Sequence, residues 1–194
     1  MTASLSREPA IYRSLPELIA MLEAILLRHG TSDSVARALA TNCASAERDG
    51  SRSHGLFRMG GYVSNLKSGF VDGRAVPQIR DAGTGFLRAD AGNGYARPAL
   101  EAAMPQAIDK ARSAGACVLA IGNAHHNGPL WLDVEPFAEA GLIALSVVNS
   151  VTYVVLMAVT NGSTEPIRWP SPCRAPMARF SCSTRRRQQW LMAK

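Results

Sequence analysis

The chain has 194 residues, is 47% hydrophobic and carries a formal net charge of +6. That length suits one domain or two small ones, and the apolar content is enough to bury a core. The charge is uneven: residues 1–155 hold 14 Lys+Arg against 14 Asp+Glu, whereas residues 156–194 hold 7 basic residues and Glu165 as the one acid. A basic surface spread over the whole molecule, as nucleic-acid binding would need, is therefore not supported. Met1 to Pro9 are polar and lack an apolar leader. The longest apolar runs, Leu142 to Val148 and Val151 to Val159, are too short for a membrane span, so a cytoplasmic location is expected. Cys43, Cys117, Cys173 and Cys182 show no C-x-x-C spacing and are expected to be buried free thiols rather than metal ligands or disulfides.

Taken in chain order, Ser14-Leu15-Pro16-Glu17 reads as a capping box. Leu18, Leu22, Ile25 and Leu26 then recur at helical spacing, with Gly30 as the stop. A second helix is predicted from Ser32 to about Arg48 on the stripe Val35, Leu39, Cys43, ending at Gly50. A third is predicted from about Leu56 to Leu66, stopping at Gly69. If that helix begins at or before His54, then His54 and Arg58, four apart, share one face. Val76 to Ala82 and Gly85 to Ala89 read as short strands around Gly83. Ala91-Gly92-Asn93-Gly94 reads as a turn before a helix over Pro98 to Ala114, which Pro105 should kink or divide. Cys117 to Ile121 reads as a strand, Asn123 to Pro129 as a loop, Leu132 to Ala140 as a helix and Leu142 to Val148 as a strand. The expected fold class is α/β (α+β), an N-terminal helical region followed by a sheet domain. After Val155 no period survives, and the composition reads as a disordered tail.

The stretch from Asp49 to Arg58 carries the most chemistry. Ser53, His54 and Arg58 place a hydroxyl, an imidazole and a guanidinium within six residues, beside Gly50 and Gly55. An imidazole exchanges a proton near neutral pH, and a guanidinium grips a carboxylate with parallel hydrogen bonds. The same residues also suit a histidine that caps or packs a helix start and a solvated surface arginine. His125 and His126 follow an apolar strand, a position where open sheets bind ligands. As adjacent histidines, with only Asp133 and Glu135 as partners, they lack the spacing of a metal site. Ser146 to Ser150, at a strand end, offer polar groups to a nucleotide or form an ordinary turn. No G-x-G-x-x-G fingerprint appears.

Leu15 to Val155 resembles the second, non-Rossmann family of malate/lactate dehydrogenases. The resemblance rests on Ala46-Glu47-Arg48-Asp49-Gly50 leading into Ser53-His54-Gly55 with Arg58 and Tyr62, and on Asp90 to Gly94. It continues through Asn123 to Gly128, Glu139 to Leu142, and Val148-Asn149-Ser150. Thr41 to Ala46, Asp109 to Gly115 and Trp131 to Glu139 look most like the Δ1-piperideine-2-carboxylate/Δ1-pyrroline-2-carboxylate reductases of that family. The resemblance implies reduction of a small cyclic imino acid by NADPH or NADH. His54 would be the acid–base residue, Arg58 would hold the substrate carboxylate and Ser53 would orient the site. His126 would line the site beside the nicotinamide, and Asn149 and Ser150 would meet the cofactor. A homodimer is implied for the full-length family. Asn127 stands where the family usually has an aromatic.

The family motifs that follow Asn-Ser are missing here, yet one fixed shift of reading frame, with permitted codons, recovers them in order. Val155 to Ala158 then gives Pro-His-Gly, Ser163 to Arg168 gives Tyr-Gly-Thr-Asn-Pro, and Phe180 to Arg187 gives Leu-Leu-Phe-Asp-Gln-Ala-Thr. The expected organisation is therefore a helical catalytic region at 1–75, a partial NAD(P)-binding domain at 76–155 and an out-of-frame tail at 156–194. Such a tail would remove the aspartate that the family pairs with the histidine matching His54. It would also leave the strands at Cys117 and Leu142 without partners and the chain inactive. The alternatives are a malate- or L-lactate-type 2-hydroxyacid dehydrogenase, and a non-enzymatic protein using Arg185 to Arg187 on an acidic partner.

Overall fold

The computed structural model describes residues 12–125, 128–150 and 177–183, the last seven and residues 149–150 by their backbone. Contacts divide the chain into two units. The first is Met1–Arg80, Arg88–Ala102 and Ile121–Gly128, and the second is Asp81–Leu87, Ala103–Ala120 and Pro129–Lys194.

The first unit starts with α1 (Leu15–Arg28) and α2 (Asp33–Arg48). Ser14 and Glu17 close the capping box in both directions, the Glu17 carboxylate accepting from Ser14 N and Ser14 Oγ at 2.9 Å each. Those bonds hold the Glu17 carboxyl below its ordinary range. Ser32 caps α2 by accepting from Val35 N at 3.4 Å. A 3₁₀ turn (Leu56–Arg58) leads into α3 (Met59–Lys67). Gly30, Gly50 and Gly69, with φ of +92°, +80° and +69°, reverse the chain after each helix, a conformation that favours glycine.

The apolar stripes of these helices meet in one core. Leu22 and Leu26 of α1, Val35, Leu39 and Cys43 of α2, and Met59 and Tyr62 of α3 are buried together with Val71 and Tyr95. Tyr95 meets the edge of Tyr62 at 5.3 Å between ring centroids and donates its hydroxyl to the Tyr62 carbonyl. Burial pushes the Tyr95 hydroxyl up to about 12.

Strands β1 (Gln78–Gly83), β2 (Phe86–Tyr95) and β3 (Val118–His125) form a sheet in that order, followed in sequence by α4 (Ala96–Ala114) after β2. Thr84-Gly85 joins β1 to β2, as the glycines around position 83 predict. Lys110 braces this turn, donating to the Gly83 carbonyl at 2.7 Å and pairing with Asp81 at 2.9 Å. Three expectations change here. The run Ala91 to Gly94 is not a turn before a helix but the end of β2. Asn123 to His125 are not loop but the end of β3. Pro105 does not divide α4, which runs unbroken from Ala96 to Ala114.

In the second unit α5 (Leu130–Glu139) packs on β4 (Ala144–Ser150) and β5 (Met177–Ser183). β4 and β5 are antiparallel, in a register running from Ala144 opposite Ser183 to Ser150 opposite Met177. This corrects two expectations. The tail contributes a strand at 177–183, and the strands at Cys117 and Leu142 each have a partner. The sequence does alternate there, Ala178, Phe180 and Cys182 being apolar between Arg179, Ser181 and Ser183, which is the strand period.

Leu39 is 2% exposed at the centre of the helical core, whereas Met21 on α1 is 51% exposed. Leu39→Ala is expected to lower stability by about 2–5 kcal/mol, and Met21→Ala by no more than about 0.5 kcal/mol. Urea unfolding followed by circular dichroism measures both; equal losses would mean the core lies elsewhere.

Candidate active site

Beyond α2 the chain reverses at Gly50 and winds into a tight turn. The Ser51 carbonyl accepts from His54 N at 2.9 Å and Gly55 N at 3.0 Å. His54 therefore lies in this turn, ahead of the helical segment, and the condition for a helix face shared with Arg58 is not met. Ser53 joins them instead. Its Oγ is 2.9 Å from His54 Nδ1, and its carbonyl accepts from Arg58 Nε–H at 2.9 Å. Ser51 Oγ lies 3.5 Å from the same Nδ1. A hydroxyl donates as readily as it accepts, so Ser53 can serve both the neutral and the protonated imidazole. A residue that releases and regains a proton needs such a partner. With Arg58 Nε directed at the backbone, the terminal Nη groups are the ones placed to fork onto a carboxylate.

Glu47, in the last turn of α2, shapes this turn. Its Oε2 accepts from Leu56 N at 2.9 Å. A Cβ at Gly55 would overlap that same oxygen and stand 3.0 Å from Glu47 Cβ and 3.1 Å from Glu47 Cα. Gly55 thus leaves open the space that the carboxylate of Glu47 occupies. Sequence reasoning assigned no role to Glu47 or Ser51. The available signal was the carboxylate nine residues before a helix start, which only the turn between them brings into reach.

The ends of β2 and β3 build a second polar cluster in the same unit. Gly92 and Asn93 both have φ of +60°, and Asn123 has φ of +49°. Asp90 Oδ1 accepts from Gly92 N at 2.8 Å and from Asn123 Nδ2 at 3.1 Å. These two bonds, in that order, hold the Asp90 carboxyl below the ordinary value of 3.8. Asn93 Nδ2 donates to the Phe70 carbonyl at 3.1 Å, which turns Asn93 Oδ1 toward His125 Nε2, 2.9 Å away. Nε2 of His125 therefore carries the proton in this hydrogen-bond assignment, and Nδ1 is the nitrogen able to accept one. The His125 ring meets Phe70 edge-on at 4.8 Å.

His126 and Asn127 lie outside the described residues. Asn149 and Ser150 end β4, opposite Ala178 and Met177, with only their backbone described. Gly128, just beyond, approaches α2 so closely that a Cβ there would overlap the amide nitrogen of buried Asn42. Among the described residues no group of three His, Cys, Asp or Glu side chains is placed to hold a metal ion. Cys43 is free and buried; burial first, and the Glu47 charge second, push its thiol up to about 12, which favours the neutral thiol. Cys117 is free but only half-buried, Cys173 lies outside the described residues and the side chain of Cys182 is not described.

The family model for malate/L-lactate dehydrogenase matches residues 14–173, and the chain belongs to that family. The match runs past Val155. Among curated relatives, the Delta(1)-pyrroline-2-carboxylate/Delta(1)-piperideine-2-carboxylate reductase of Pseudomonas syringae pv. tomato is 55% identical over 172 residues, covering 89% of this chain and 49% of that protein. The reductase of the same name from Pseudomonas putida is 58% identical over 159 residues, 81% of this chain and 47% of that one. The chain thus spans about half the length of the curated relatives it matches. The crystal structure of delta1-piperideine-2-carboxylate reductase from Pseudomonas syringae superimposes with a TM-score of 0.72 at 59% identity, covering 74% of this chain and 43% of that one. Malate dehydrogenase from Pyrococcus horikoshii OT3 gives 0.76 at 23% identity, covering 92% and 48%, a likeness of fold. Among the described residues no helix is long and apolar enough to cross a membrane.

The Asp90 network predicts its own pH dependence. The folded carboxyl titrates below its unfolded value, so its contribution is present above the unfolded pKa and is lost as pH falls through the folded one. The Gly92 amide resonance is expected to titrate with a midpoint below 3.8. In Asp90→Asn this titration should vanish; a midpoint at or above that value would show that the network does not hold the charged form.

Proposed function

We propose that this chain carries the proton-transferring and carboxylate-anchoring residues of an NAD(P)H-dependent reductase of cyclic imino acids, of the Δ1-piperideine-2-carboxylate and Δ1-pyrroline-2-carboxylate type. The observation that supports it most is Ser53 meeting His54 through its hydroxyl and Arg58 through its carbonyl. The substrate class follows from the names of relatives at 55–58% identity. In this reading Arg58 holds the substrate carboxylate, and His54 gives a proton to the imine nitrogen as the C=N carbon is reduced. Ser53 keeps the imidazole oriented. The nicotinamide supplies hydride when bound. On this chain His126, Asn149 and Ser150 are the residues proposed to meet it, and NADPH and NADH are both admitted. The donor set fits the division of labour: a proton donor and a guanidinium stand together, and no protein group able to deliver hydride is required. A homodimer is the assembly this reading carries.

A chimera joining residues 12–150 to the second half of the Pseudomonas syringae relative tests the assignment. It is expected to oxidise NAD(P)H with cyclic imines in preference to pyruvate or oxaloacetate. His54→Ala should lower kcat by about 10²–10⁴-fold, and Arg58→Ala should chiefly raise KM for the imine. Preference for the 2-oxoacids would favour the malate/lactate-type reading, and full activity in His54→Ala would overturn the acid–base role. The 194-residue chain alone is expected to oxidise NAD(P)H no faster than background.

We further propose that 156–194 is read out of frame. The nucleotide sequence through codon 155 decides this: a shifted downstream frame encoding Pro-His-Gly and Tyr-Gly-Thr-Asn-Pro is expected, and its absence would refute it.

A further inference from the structure

We propose that Glu47 is a positioning residue for the acid–base histidine, acting through the backbone that follows His54 rather than on any substrate; this rests on the reading of His54 as the proton donor. The geometry carries it. Glu47 is half-buried in the last turn of α2, where the helix dipole is negative and a carboxylate is disfavoured for the helix itself. Its oxygen is directed at Leu56 N, the first amide of the 3₁₀ turn, an N–H with no partner inside that turn. On the other side of the histidine, His54 N is tied to the Ser51 carbonyl at 2.9 Å. The peptides before and after His54 are held by the Ser51 carbonyl, through His54 N and through Gly55 N at 3.0 Å, and Glu47 holds the next one, Gly55–Leu56. The side chain then has only its own torsions left, and Ser53 Oγ at 2.9 Å selects among them.

Gly55 shows the same constraint from the opposite direction. Its φ of −88° and ψ of −135° lie outside the α and β regions, a backbone that glycine takes more readily than other residues. The Glu47 carboxylate also lies where a Cβ would be. Glu47 and Gly55 are thus one device: the acid reaches the Leu56 amide only because position 55 has no side chain. With its oxygen on a backbone amide, Glu47 is a support for the turn and not a second acid–base group.

The test uses the full 194-residue chain and reads the imidazole nitrogens of His54 and His125 by ¹H–¹⁵N spectroscopy, together with exchange of the Leu56 amide. Glu47→Ala is expected to shift the His54 Nδ1 resonance toward that of a solvated imidazole and to speed Leu56 exchange by about tenfold or more, the loss of one hydrogen bond to a charged group. Glu47→Gln keeps a carbonyl oxygen at the same place and is expected to restore both signals. Gly55→Ala, whose Cβ would meet the Glu47 carboxylate and stand 3.1 Å from Glu47 Cα, is expected to resemble Glu47→Ala. His125 should stay unchanged throughout, reporting that the unit is folded. An unchanged His54 in Glu47→Ala and Gly55→Ala, a Glu47→Gln chain that behaves like Glu47→Ala, or His125 moving with His54 in both Glu47→Ala and Gly55→Ala would each overturn the proposal. None of these readouts needs turnover, so failure of the reductase assignment would show in the chimera while leaving the Glu47 result standing.

Discussion

A single carboxylate, reaching out of a helix to the amide of a residue nine positions on, sets the shape of the candidate site. Glu47 accepting from Leu56 N closes the segment between α2 and the 3₁₀ turn into a compact loop. Within that loop the Ser51 carbonyl takes the amides of His54 and Gly55, and only then does Ser53 stand between an imidazole and a guanidinium. A hydrogen bond to a charged group is worth roughly twice a neutral one. It is also directional, so it fixes a short turn more firmly than apolar packing would. That matters because His54 and Arg58 belong to a turn and a 3₁₀ turn, elements with few internal bonds of their own.

α2 is the platform under both chemical segments of the first unit. Leu39 and Cys43 bind it into the core, so its position is set by burial. From that fixed helix Glu47 shapes the Ser51–Arg58 segment, and Asn42 meets Gly128 at the end of the segment that carries His125. Asn42 is buried, and its Oδ1 has no hydrogen-bond partner among the described residues. A buried amide oxygen without a partner is costly, which marks this seat as one that the rest of the fold must justify. Both glycines, Gly55 and Gly128, are places where an α2 side chain fills the volume of a Cβ. Helix and loops are therefore fitted by omission as much as by contact.

How much of this was legible follows from range. Helix ends were readable because their causes are local: Ser14 with Glu17, Ser32 with Val35, and glycines at 30, 50 and 69 that take positive φ. The residues of the candidate site were readable as types, since Ser53, His54 and Arg58 sit within six positions. Their arrangement was not, because the i,i+4 rule presumes a helix and the distant Glu47 imposes a turn. Ala91 to Gly94 misled for a related reason. Gly92 and Asn93 do take the left-handed conformation that marks turns, but Asp90, Asn123 and the Phe70 carbonyl hold them inside a strand, and none of those partners except Asp90 is near in sequence. At 177–183 the alternation was present but outweighed by prolines and arginines around it.

The roles proposed for His54 and Arg58 also bear on why one family holds enzymes named for 2-hydroxyacids and for cyclic imines. Reduction of a C=O or of a C=N beside a carboxylate asks the same two things of a protein: a proton for the heteroatom and an anchor for the carboxylate. In their proposed roles His54 and Arg58 would meet both requests without distinguishing oxygen from nitrogen, because an imidazolium donates to either and a guanidinium sees only the carboxylate. As proposed, Ser53, His54 and Arg58 therefore stand for a reaction type rather than a substrate. The step from reaction type to cyclic imine rests on the relatives at 55–58% identity, against a fold likeness to malate dehydrogenase at 23%. On that proposal, substrate choice is set by residues that shape the space around the ring, beyond the proton donor and the carboxylate anchor.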